Sequence, residues 1–130
     1  MSDPVFLSKE EVLGLHRRQI EIFGGDAGLG DSGLLESALA QPQNTYLYRP
    51  DADVFDIAAA YAFHLSKNHA FNDGNKRTAL HAALTFLELN GAGITAGQDD
   101  LYEAMIRLTT GDWNKEAFAA FLRARQQSSR

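Results

Sequence analysis

Cysteine is absent from this 130-residue chain, so neither a disulfide nor a thiolate-bound metal can hold it together. That absence suits a reducing compartment. With only three prolines and no low-complexity tract, the composition gives no sign of a long disordered segment. No run approaches the ~18 apolar residues of a membrane span. The opening MSDPVFLSKEE has neither the basic leader nor the apolar stretch of a secretion signal. The expectation is a cytoplasmic protein with no membrane contact. Positive charge is scarce as well. Twelve Lys and Arg stand against 17 Asp and Glu, and the net charge of −5 disfavours direct binding to nucleic acid.

What is present is an ordinary globular composition, 45% hydrophobic and 22% charged, at a length that suits one core. No boundary or repeat divides it, so residues 1–130 read as a single domain.

The punctuation is helical. Ser8 and Glu11 have capping-box spacing, with Leu7 and Val12 placed to staple the first turn. The helix that follows should present Val12, Leu15, Ile22 and Phe23 on one face and end at Gly24–Gly25. GDAGLGD reads as a plain connecting loop. Asp31 or Ser32 can cap a short helix through Leu34, Leu35, Ala38 and Leu39 that stops before Pro42, leaving Gln43–Pro50 irregular or extended.

From Asp53, the spacing of Val54, Ile57, Ala58, Tyr61 and Leu65 predicts a core helix. A second apolar helix follows Gly74, with Leu80, Ala83, Leu84 and Leu87 on one stripe, and ends near Asn90–Gly91. Two more are expected, over Asp99–Leu108 and from Asn114 to about Gln126, with Trp113 stapled on Phe118. GAGITAG has room for a brief extended piece but no evident strand partner. About six helices therefore define a compact all-α fold.

The stretch His69-Ala70-Phe71-Asn72-Asp73-Gly74-Asn75-Lys76-Arg77-Thr78 joins the two most apolar helices. Lys76 and Arg77 occupy a first helical turn, where the macrodipole is positive and two cations are unfavourable. An anion bound there removes the conflict. The free N–H groups of the turn, the two cations and a close-approaching backbone at Gly74 together suit phosphate. Asp73 can hold Mg²⁺ bridging phosphate oxygens, and the His69 imidazole can take a proton from a hydroxyl.

Each residue also has an ordinary role open to it: Asn72 or Asp73 as a helix cap, His69 as a satisfied helix-end histidine, Lys76 and Arg77 as a solvated face. Phe71 reads as an apolar plug in either case. His16, His64 and His81 look structural, and with no HExxH pair a zinc site is not expected.

Together, HAFNDGNKR resembles the HxFx[D/E]GN[G/K]R signature of the Fic superfamily, and GLLESALAQPQ is similar to a segment of its Doc-type toxins. The resemblance implies the Fic fold, with the motif loop between two central helices. It implies His69 as general base and Asp73 as Mg²⁺ ligand. Gly74, Asn75, Lys76 and Arg77 would be the nucleotide phosphate site, and Phe71 the loop anchor.

AMP-transferring members typically carry glycine at the Lys76 position and a second arginine where this chain has Leu80. Doc-type toxins share both of the changes seen here. They imply transfer of the ATP γ-phosphate to a translation factor, elongation factor Tu on a threonine, with a separate antitoxin docking in a surface groove. Nucleotidyl transfer is the alternative, and a non-enzymatic partner-binding module the second. The inhibitory pattern [ST]xxxE[GN] is met by Ser32 and Glu36, but Ser37 breaks it, so self-inhibition by this helix is not expected.

Overall fold

The computed structural model describes residues 3–127, in which six helices follow one another: α1 (Lys9–Phe23), α2 (Ser32–Tyr48), α3 (Val54–Asn68), α4 (Asn75–Leu89), α5 (Gln98–Thr110) and α6 (Lys115–Arg123). The all-α expectation holds. Among the described residues, extended pairing is limited to two isolated bridges, and no helix is long and apolar enough to cross a membrane.

Helix α3 is the axis, packed by α2, α4, α5 and α6. Its run Ile57–Ala62 is buried all round, the signature of a helix enclosed by others. Four of those six residues are alanine, which lets the neighbouring helices approach closely. The second layer of the core comes from Leu80, Ala83, Phe86 and Leu87 of α4. Tyr61 brings a polar group into this core. Its hydroxyl accepts from the Leu7 N–H at 2.9 Å, and burial pushes its pKa up to about 12, so it stays a neutral clasp on the N-terminal segment.

The caps follow the sequence. Ser8 and Glu11 close both bonds of a capping box at α1, Asp53 and Asp56 do so at α3, and the Asn114 side chain accepts from the Ala117 N–H at 2.8 Å at α6. For α2, Asp31 is the cap and Ser32 the first helical residue.

Four expectations are corrected. Helix α1 buries Val12, His16 and Gln19 rather than Ile22 and Phe23, which are 60% and 45% exposed. One turn of apolar residues at its C-terminal end thus faces outward. Helix α2 does not stop before Pro42 but continues to Tyr48. The missing proline N–H forfeits one ladder bond, yet Leu35, Ala38 and Pro42 form a single buried row as α2 packs along α3, and that burial outweighs the loss. Trp113 tilts on Phe121, centroids 5.5 Å apart, rather than stapling Phe118. Finally, α6 ends at Arg123 because the chain beyond it turns to pair with GAGITAG. Ile94 bridges Gln126, and the Thr95 N–H donates to the Arg125 carbonyl at 2.8 Å.

His64, midway along α3, receives a 3.2 Å hydrogen bond from Lys115 Nζ. Burial first, and the Lys115 charge second, push its pKa down to about 4. It is a neutral acceptor, as a structural histidine should be.

Candidate active site

The loop between α3 and α4 begins with a backbone anomaly. His69 ends α3 at φ 51°, ψ 47°, the only non-glycine residue with positive φ among those described. That left-handed turn costs a side-chain-bearing residue about 1 kcal/mol. It brings the exposed imidazole to the same cleft as the start of α4.

Phe71 then drops into the core, 4% exposed, as the sequence indicates. Asn75 locks it from both sides, its Oδ1 accepting from the Phe71 N–H at 3.1 Å and its Nδ2 donating to the Phe71 carbonyl at 2.9 Å. Of the groups expected to meet phosphate, the Asn75 side chain is thus committed to the loop. Its backbone N–H remains at the helix start.

Gly74 turns the chain into α4 at φ 79°, and no side chain caps the helix. The first ladder bond is Thr78 N–H to the Gly74 carbonyl, so the backbone donors ahead of it face outward. Lys76 and Arg77 are exposed in this turn and form no ion pair among the described residues. In a chain of net charge −5, an uncapped helix start with two unpaired cations is a local anion trap.

The cleft above has a volume of about 410 Å³. His69, Asp73, Lys76 and Arg77 line its polar side, and Tyr102, Met105 and Ile106 of α5 its apolar side. All the singled-out residues except the buried Phe71 therefore face one space.

Two supports of the site leave little trace in the sequence. GDAGLGD is no plain connector, because it straps the motif loop. Gly30 and Asp31 N–H both donate to the Ala70 carbonyl, at 2.8 and 3.1 Å, and the Asn72 N–H donates to Gly28 O. Leu29 bridges Phe71. A Cβ at position 28 would lie 2.6 Å from the Asn72 amide nitrogen, so a side chain there would displace the Asn72 side chain from Asp26. Asp26 completes the strap, its N–H donating to Asp73 Oδ2 at 2.8 Å and its carboxylate accepting from Asn72.

The second support is His16, buried on α1. It stacks on Phe71 and donates from Nε2 to the Asp73 carbonyl. The only sequence signal for it was a histidine in register with the apolar positions of α1.

Asp73 thus has one carboxylate oxygen fixed by backbone and the other without a partner among the described residues. No cluster of three or more acidic or histidine side chains is found among the described residues. A lone, oriented carboxylate beside an anion site fits Mg²⁺, which needs one or two protein oxygens when phosphates and water supply the rest.

Ser32 and Glu36 are both held by Lys9, at 2.8 and 2.9 Å, and the Lys9 ammonium keeps the Glu36 carboxyl below its usual range. They brace α1 against α2, and Glu36 reaches no motif arginine.

An all-helical protein built around an HxFxDGNxR loop at an uncapped helix start has the architecture of a Fic protein. The Fic/DOC family model matches residues 6–87, and the chain belongs to that family. It is 34% identical over 117 residues to "Protein kinase doc" of Escherichia phage P1, covering 90% of this chain and 92% of that protein. It is 43% identical over 104 residues to "Toxin Doc" of Mycolicibacterium smegmatis, covering 77% and 79%.

Proposed function

We propose that this chain, acting as one domain, is the toxin of a toxin–antitoxin pair and transfers the γ-phosphoryl group of ATP to a hydroxyl of a translation factor, elongation factor Tu. The observation that carries the reading is the uncapped start of α4, with Lys76 and Arg77 unpaired beside it and His69 on the same cleft.

In this mechanism His69 takes the proton of the acceptor hydroxyl as its oxygen bonds to the γ-phosphorus. The bond from that phosphorus to the β–γ bridging oxygen breaks, and its electron pair leaves with ADP. Lys76, Arg77 and the first-turn N–H groups offset the charge on the phosphate oxygens. Asp73 would hold Mg²⁺, which supplies further neutralisation of the phosphates when bound. The Phe71 plug and the 26–31 strap keep base and anion site in fixed relation.

Two features favour phosphoryl over nucleotidyl transfer. Lys76 fills space that glycine leaves open at the helix start in AMP-transferring relatives. Leu80, at the position of their second arginine, is 2% exposed in the core. The name of one relative, "Protein kinase doc", points the same way. An antitoxin is the partner such toxins imply, and the cytoplasm the compartment in which a translation factor is met.

Mass spectrometry of elongation factor Tu after incubation with the protein, ATP and Mg²⁺ tests this. Gain of one phosphoryl group on a threonine supports it. Gain of AMP establishes the nucleotidyl alternative, and an unchanged target removes elongation factor Tu as the substrate.

A further inference from the structure

Phe23 is the last residue of α1 and is 45% exposed, an aromatic ring the core does not use. It carries the Arg77 guanidinium on its face, with Cζ 4.2 Å from the ring centroid. The chain turns immediately after it at Gly24–Gly25, with φ of 82° and 115°, and passes close to the motif loop: a Cβ on Gly25 would sit 3.2 Å from the Asp73 side chain.

Other arginines also lie over aromatic rings, Arg125 on Phe121 with Cζ 4.0 Å from the centroid, but their N–H edges are engaged: Arg125 Nη1 donates to the Phe121 carbonyl at 3.3 Å. Arg107 has its N–H edge occupied by Glu103 and Asp112, and Arg123 by Asp53 and Asp56. Arg77 is oriented by stacking alone, and no side-chain hydrogen bond holds it among the described residues. Stacking uses the face of the guanidinium and leaves the N–H donors at its edge free, the arrangement that bidentate binding of a phosphate requires. Arg77 also stands between two spaces. It lines both the His69 cleft and a smaller recess of about 280 Å³ on the α1 side, whose wall includes Gln19, Phe23 and Gly25.

We infer that Phe23 is a positioning residue for Arg77, holding the guanidinium over the start of α4 with its edge turned to the phosphates of a nucleoside triphosphate. This rests on the assignment of Arg77 to phosphate made above. A leucine keeps the bulk and apolarity of Phe23 but offers no π face, whereas tryptophan offers a stronger one.

The test is calorimetric affinity for Mg²⁺–ATP in the full chain. The variants are Phe23→Leu, Phe23→Trp, Arg77→Ala and the Phe23→Leu/Arg77→Ala pair, with melting temperature measured alongside. Phe23→Leu should weaken binding about three- to tenfold at an unchanged melting temperature, Phe23→Trp should retain it, and Phe23→Leu should have no further effect once Arg77 is alanine. Equal weakening in both backgrounds, or none in either, overturns the positioning role while leaving the phosphate site standing. Unchanged affinity in Arg77→Ala removes the phosphate assignment itself and this inference with it.

Discussion

His16 lies flat on Phe71, ring centroids 3.7 Å apart and 10° from parallel, while its Nε2 donates a 2.8 Å hydrogen bond to the Asp73 carbonyl. One buried side chain of α1 thereby fixes both the plug and the acidic residue of the motif loop. Removing it should open a cavity and orphan a carbonyl at the same time. His16→Ala is expected to destabilise the protein by about 2–4 kcal/mol in chemical denaturation. His16→Phe, which keeps the stack and loses only the donor, should cost less than half as much. Equal losses for the two would assign the role of His16 to its hydrogen bond alone.

Phe71→Ala should cost about 3–5 kcal/mol, because the ring is buried and its place cannot be refilled without moving the loop. Urea titration checks this, and an unmoved midpoint would contradict the plug.

His69 separates stability from chemistry. Its φ of 51° is one that glycine adopts freely. His69→Gly should therefore leave stability unchanged or raise it by up to about 1 kcal/mol, while phosphoryl transfer is abolished. Thermal melts and a transfer assay on the same preparation decide the matter. Retained transfer would exclude the base role.

Asp73→Asn keeps an oxygen for the Asp26 N–H, so the strap and the melting temperature should persist. Activity dependent on Mg²⁺ should fall at least tenfold, about 1.4 kcal/mol of transition-state stabilisation. Full activity in the variant, or wild-type activity in excess chelator, would contradict the metal role.

The pH dependence of folding should carry the mark of His64. Its folded pKa, about 4, lies below its unfolded value, so the unfolded state binds the extra proton between about pH 4 and 6.5. The stability it contributes is present above about pH 6.5 and is lost as pH falls through that window. The half-buried ring is screened by solvent, which limits the effect to about 1–2 kcal/mol. His64→Gln should flatten the slope of stability against pH there, and an unaltered slope would show that other groups set it.

The helices were legible because their punctuation is local: the capping box at Ser8, Asn114 before α6, glycine after α1 and α4. The motif was legible because Lys76 and Arg77 violate the dipole rule at a firm helix start. What escaped was the chain's contact with itself at long range. That α2 runs through Pro42 depends on a buried row facing α3. That 26–31 is a strap depends on pairing with residues about 40 positions away, and small polar residues announce no partner. Phe23 was misread for the same reason, and His16, read as structural, gave no sign of the loop it holds. Periodicity finds the face that meets the core, whereas one of these side chains serves a loop and the other an exposed guanidinium.

The central claim is that ATP is held for delivery of its terminal phosphate by a base on the α3–α4 loop. The most direct test incubates the protein and elongation factor Tu with Mg²⁺ and ATP labelled on either the α- or the γ-phosphate, with His69→Ala as control. Label reaching the target from the γ position alone, and not in the variant, is the predicted result. Label arriving from the α position would contradict it and make the protein a nucleotidyl transferase despite Lys76.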